Sequence, residues 1–155
     1  MANDPVPLSA ADAQDLAERV AKQMHARDRA SQMMGMKVAR VGPGHAELVM
    51  TVRADMLNGH ATCHGGFIFT LADSAFAFAC NSNNQTTVAS GCSIDFIAPA
   101  REGDALTAVA QERSTSGRTG VYDIDVHNQR GETIALFRGK SYRIKGHVIA
   151  DPQED

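Results

Sequence analysis

A chain of 155 residues with 43% hydrophobic and 21% charged residues has the composition of one globular domain with a substantial core. Its net charge of −3, without any basic block, gives it no general attraction to nucleic acid or anionic lipid. No apolar run reaches membrane-spanning length, the opening Met1-Ala2-Asn3-Asp4-Pro5 lacks a leader pattern, and three cysteines without a framework suggest free thiols in a reducing cytoplasm.

Ser9 caps a predicted helix over Ala10 to Arg29, with Asp12 in its first turn. Leu16, Val20 and Met24, flanked by Ala13, Ala17 and Ala21, give it a narrow apolar stripe. Ser31-Gln32-Met33-Met34-Gly35 reads as a break, its methionines as flexible filler at a core or interface. A strand over Met36–Val41 turns at Pro43-Gly44 into a second, His45–Arg53, followed by a loop over 54–64. The second helix covers Gly65 to Asn81 and stops in the polar run Asn81-Ser82-Asn83-Asn84-Gln85.

Strands follow to the end. Thr86–Ile97 places Val88, Cys92, Ile94 and Phe96 on one face; Pro99–Asp104 turns; Ala105–Arg113 is a strand; Ser114–Thr119 turns. In Gly120–Asn128, Tyr122, Ile124 and Val126 alternate with Asp123, Asp125 and His127, the period of a strand with one buried face. Gln129–Glu132 turns into the last strand, Thr133–Lys145, ahead of a polar tail. The expectation is a single α+β domain over 1–155: an N-terminal helix at about 9–29, a core at about 33–146 and a tail at 147–155. The second helix is apolar on every side, with Phe67, Leu71 and Phe78 projecting one way and Phe69, Phe76 and Cys80 another. A curved antiparallel sheet covers one side only, so a ligand or a second copy must meet the other, and a homodimer is expected.

One carboxylate, Asp73, interrupts that helix on the face of Phe69, Thr70, Phe76 and Ala77. A buried charge costs several kcal/mol in order of magnitude unless it is paired or wetted. Gly66 lies two turns earlier on the same face, where first-turn N–H groups lack helical partners and the helix dipole is positive. Glycines at 65 and 66 would let a ligand approach that backbone closely. Amide donors for a developing oxyanion, plus a carboxylate that attacks or activates water, are the parts of acyl transfer. The two lie about 10 Å apart at a rise of 1.5 Å per residue, too far for one carbonyl to touch both. The spacing favours a site shared between two chains.

His64-Gly65-Gly66, with Asn58 six residues before and Asp73 seven after, resembles the PaaI group of hotdog-fold acyl-CoA thioesterases. The likeness continues through Leu71-Ala72-Asp73-Ser74-Ala75, Cys92-Ser93-Ile94-Asp95-Phe96, Gly120-Val121-Tyr122-Asp123-Ile124 and Ala135-Leu136-Phe137-Arg138-Gly139-Lys140, over roughly 30–146. It implies a hotdog fold, a curved antiparallel sheet wrapped around a central helix, in dimers joined edge to edge and typically paired into homotetramers. It implies Asp73 as nucleophile or general base, the Gly65 N–H of the opposite subunit polarising the thioester carbonyl, Asn58 orienting water or thioester, and His64 beside the thioester in a structural or thiolate-facing role. The substrate expected is phenylacetyl-CoA or a hydroxylated relative, within aromatic-compound degradation. Phe69, Leu57 and Met56 are candidate walls of the acyl slot, with Gly66 at its mouth, and Arg118, Arg138 and Lys140 are candidates for the CoA phosphates.

His60, Cys63 and His64 lack a fourth metal ligand, Cys63 lacks an activating arrangement, and neither a metal nor a cofactor is expected, CoA being part of the substrate. Two other readings remain open: dehydration of 3-hydroxyacyl thioesters, and acyl-CoA sensing without turnover.

Overall fold

A computed structural model describes residues 7–150. Its elements in chain order are α1 (Ala10–Arg27), α2 (Arg29–Met33), β1 (Lys37–Gly42), β2 (His45–Thr51), a 3₁₀ turn (Ala54–Met56), α3 (Gly65–Cys80), β3 (Gln85–Phe96), β4 (Ala105–Ser116), β5 (Thr119–His127) and β6 (Thr133–His147). The six strands form one antiparallel sheet in the order β1-β2-β4-β5-β6-β3. Helix α3 packs across it, chiefly on β2, β4 and β5. This is the expected hotdog fold.

Three local expectations are corrected. The first helix does not run to Arg29, nor is Ser31–Gly35 simply a break. Asp28 leaves helical geometry at φ −85° and ψ 85°, ends α1, and accepts from the Ser31 N–H at 3.0 Å to start α2. A short carboxylate that competes for backbone donors favours such a junction over a helix interior. Of the methionines there, Met34 and Met36 enter the core while Met33 is exposed.

The turn expected over Ser114–Thr119 is much tighter. Pairing runs out to Ser116 opposite Thr119, and Gly117, at φ +58°, supplies the left-handed residue that closes it.

The third correction concerns β3. An extra residue at Ser90 shifts the register, so Val88 pairs with exposed Tyr142 while Cys92, Ile94 and Phe96 pair with buried Gly139, Phe137 and Ala135. A one-residue bulge inverts every later side chain. Val88 therefore faces away from α3, and the other three face towards it.

The chain also covers more of α3 than a sheet alone can. His25 of α1 stands 6.5 Å from the Phe78 ring, and the Ser31 and Ser74 hydroxyls hydrogen-bond at 3.2 Å. Leu71, Ala72, Ala75, Phe76, Phe78 and Ala79 are all buried within one protomer.

The two edges of the sheet differ. Gln14 of α1 donates to the Val41 carbonyl of β1 at 2.7 Å, so α1 lies along that edge. β3 has β6 as its one neighbour, and Val88, Phe96 and Ile97 on or beside it are exposed. A long open edge with apolar side chains is a template for another strand.

Phe76 anchors the middle of α3 to the sheet. Its ring packs at 5.4 Å from Tyr122 and 6.2 Å from Phe137, directly over the backbone of Gly139. A Cβ at 139 would lie 2.8 Å from three atoms of that fully buried ring. Gly139→Ala is expected to destabilise the fold by ~1–3 kcal/mol through overpacking. Urea unfolding should show a lower midpoint at unchanged slope, and an unaltered midpoint would contradict this packing.

Candidate active site

Between Ile68 and Cys80, only Phe69, Thr70, Asp73 and Ala77 are not buried. With exposed Gly66 they form one stripe along α3, at the i, i+3, i+4, i+7 and i+11 spacing of a single helical face. Asp73 stands in the middle of this stripe, and Phe76, which the sequence placed beside it, turns into the core instead. Asp73 has no hydrogen-bond or ion-pair partner among the described residues, and burial alone pushes its carboxyl above the usual carboxylate range. The thiols of Cys80 and Cys92 feel its charge, so the acid lies on the side of α3 that faces β3.

The loop before α3 is a tight, self-bonded hairpin. Leu57 and Cys63 bridge across it, and the Asn58 N–H donates to the Thr62 carbonyl at 2.8 Å. Asn58 Oδ1 accepts from the N–H groups of His60 (2.9 Å) and Thr62 (3.3 Å), and its Nδ2 donates to Thr62 Oγ1 at 3.0 Å. Ala61 closes the turn at φ +57°, a region that disfavours a residue with a side chain. Two backbone bonds, Cys63 N–H to the Ala100 carbonyl and His64 N–H to the Met56 carbonyl, both at 2.8 Å, strap the loop to the core. The carbonyl oxygen of Asn58 is thus spent inside its own loop, leaving one amide hydrogen for an outside partner.

At the helix mouth the first-turn donors are not equivalent. The Gly66 N–H donates to His64 Nδ1 at 2.9 Å, and the Phe67 N–H to the His64 carbonyl at 3.0 Å. The Gly65 N–H has no partner among the described residues. Each glycine also makes room for a neighbouring side chain. A Cβ at 65 would meet the Phe96 ring at 2.9 Å, and one at 66 would meet His64 Nδ1 at 3.1 Å. The Phe96 ring therefore lies over the residue that carries the free donor. Nothing in the strand pattern of β3 marks Phe96 for this position, because the bulge that redirects it cannot be read from alternation.

The other candidates are more scattered. Phe69 packs edge-on at 5.2 Å from Phe137 and borders the stripe, whereas Met56 is fully buried and Leu57 half-buried in the loop bridge. Arg138 and Lys140 are exposed on the sheet face turned away from α3 and Asp73. Arg138 is held there by Asp123 in a two-pronged ion pair (Nε–Oδ1 2.7 Å, Nη2–Oδ2 2.9 Å). Arg118 sits in the β4–β5 turn, where it shares a polar cavity of about 170 Å³ with Arg143, Tyr122 and Cys80 at the far end of α3.

His60 is exposed while Cys63 is buried, and no three His, Cys, Asp or Glu side chains converge among the described residues. Burial pushes the Cys63 thiol up to about 11, so it is not a ready nucleophile. A groove of about 1010 Å³ between α1 and β1 contains none of the candidate residues. Asp73 and the helix mouth lie instead along the open face of α3.

The chain matches the family model described as "Thioesterase superfamily" over residues 60–135. It is 50% identical over 128 residues to "Acyl-coenzyme A thioesterase PaaI" of Escherichia coli, covering 83% of this chain and 91% of that one. The structure of the E. coli PaaI protein from the phenylacetic acid degradation operon superposes with a TM-score of 0.85 at 49% identity, covering 86% of this chain and 97% of the other. A mutant of the phenylacetic acid degradation protein PaaI of Thermus thermophilus superposes at 0.73 with 40% identity, over 76% of this chain and all of that one.

A carboxyl group raised by burial weakens the fold when ionised, because the unfolded chain releases the proton more readily. That loss is absent below the ordinary carboxylate pKa and grows as pH rises through the elevated value. Asp73→Asn is therefore expected to melt above the wild type at pH 7, with the gap narrowing towards pH 4. Thermal unfolding across that range checks this, and a gap independent of pH would contradict it.

Proposed function

This chain belongs to the thioesterase superfamily, and from that premise we propose that it hydrolyses acyl-CoA thioesters, phenylacetyl-CoA and its ring-hydroxylated relatives foremost, to the free acid and CoA. The observation that carries this reading is that one helix bears a backbone donor, Gly65 N–H, and a carboxylate, Asp73, both without a partner among the described residues. The amide stabilises negative charge on the carbonyl oxygen, and the carboxylate attacks the carbonyl carbon or takes a proton from the attacking water. The leaving thiolate is stable enough to depart without strong protonation, so neither a metal nor a cofactor is required. The acyl preference and a role in aromatic-compound breakdown rest on the names of the PaaI relatives.

Eight residues of helix separate Gly65 from Asp73, or ~12 Å. Reacting groups need to lie roughly 3 Å from the atoms they act on. The reading therefore includes a homodimer in which Gly65 of one chain and Asp73 of its twin flank one thioester. The uncovered β3 edge supports such a dimer, since it lies on the same side of the molecule as Asp73. Antiparallel docking would bring the far end of one α3, with Arg118 and Arg143, towards the mouth of the other, making Arg118 the favoured contact for CoA phosphates. Pairing of such dimers into a tetramer belongs to the same proposal, as does a cytoplasmic location. Among the described residues no helix is long and apolar enough to cross a membrane.

Thiol release over a panel of acyl-CoAs is the primary test. Phenylacetyl-CoA should turn over, and Asp73→Asn should lower kcat by about 10³-fold while the protein stays folded, the scale seen when groups acting directly in the transition state are removed. Tight binding without thiol release would point to a sensor, and enoyl product to a dehydratase. Arg118→Ala should raise KM several-fold, on the order of 1 kcal/mol, with kcat retained; an unchanged KM would remove it from the phosphate site.

A further inference from the structure

We propose that His64 is a positioning residue: its neutral imidazole caps α3, consumes the Gly66 N–H, and so leaves Gly65 as the one donor presented to the carbonyl oxygen. This deepens the thioesterase reading and rests on it.

The argument starts from an unusual cap. Position 64 is the N-cap of α3, in extended geometry at φ −60° and ψ 133°. Ser, Thr, Asp and Asn dominate that position because a short side-chain oxygen reaches the N2 or N3 amide. Here a ring nitrogen does so, with Nδ1 at 2.9 Å from the Gly66 nitrogen. A backbone N–H can only donate, so Nδ1 must carry its lone pair, and the ring proton resides on Nε2. That tautomer removes Nδ1 from service as an acid or a base.

One further contact orients the ring. It meets Phe67 edge-on, with centroids 6.4 Å apart and planes at 89°. A Cβ at 66 would lie 3.1 Å from Nδ1, so glycine there is the residue that leaves the imidazole its place. The Phe67 N–H is already bonded to the His64 carbonyl. His64 thus occupies two first-turn donors, one with its side chain and one with its backbone. Without the cap, Gly66 would offer a second free donor, and a carbonyl oxygen would have two competing positions with a displaced reacting carbon.

The experiment compares His64→Ala with His64→Asn, in which the side-chain oxygen of Asn stands near the place of Nδ1 and accepts the same bond. His64→Ala should lower kcat on phenylacetyl-CoA by about 10–100-fold, the cost of a misplacement of about 1 Å, with KM changed much less. His64→Asn should recover most of that loss. If Asn is as impaired as Ala while the wild type is active, His64 acts through its Nε2–H or its charge, and the proposal is overturned. An inactive wild type would instead overturn the thioesterase reading.

A second measurement needs no variant. In histidine-¹⁵N-labelled wild type, long-range ¹H–¹⁵N correlation should show His64 as the Nε2–H tautomer at neutral pH. An Nδ1–H tautomer or an imidazolium there would overturn the cap.

Discussion

The structure turns on an acid that its own chain leaves unanswered. Asp73 is half-buried on an apolar helix with no partner among the described residues, and burial alone holds its carboxyl above the normal range. Everything around it is arranged so that this is tolerable but not comfortable. The sheet and the N-terminal helices bury three sides of α3, while the side bearing Asp73 keeps only small or half-exposed neighbours, Thr70 and Ala77. The fold thus carries a local penalty at one point, the usual position of a group whose value lies in reactivity.

The helix mouth answers a complementary requirement. Polarising a carbonyl calls for preorganised donors aimed at its oxygen. The loop from Leu57 to Cys63 is held by its own hydrogen bonds and strapped to the core at both Cys63 and His64, so the start of α3 cannot drift. Of the first-turn donors of α3, Gly65 alone has no N–H partner among the described residues, and the Phe96 ring lies beside it. A rigid donor costs no reorganisation when charge develops on the oxygen.

Most of the fold was legible because its signals were local and repeated. The alternation of Tyr122, Ile124 and Val126 and the continuous apolar run of α3 both gave elements the structure contains. What escaped were single-residue events: Asp28 closing one helix and opening another, and Ser90 bulging β3 and so reversing Val88 relative to Phe96. Periodicity averages over several residues and is blind to an insertion of one. The face shared by Gly66, Thr70, Asp73 and Ala77 followed from helical geometry. The distinction between Gly65 and Gly66 did not, since it depends on which amide the His64 ring reaches. Arg138 and Lys140 were correctly placed on one strand face, but the choice of face required knowing which side α3 covers.

The central claim is that the two halves of the chemistry come from different chains. A crystal structure with a ketone analogue of phenylacetyl-CoA, whose carbonyl cannot expel a thiolate, tests it most directly. The account predicts the carbonyl oxygen at about 3 Å from the Gly65 nitrogen of one protomer, with its carbon facing Asp73 of the other. A carbonyl held by Gly65 and Asp73 of the same chain, or bound away from Asp73 altogether, would contradict it.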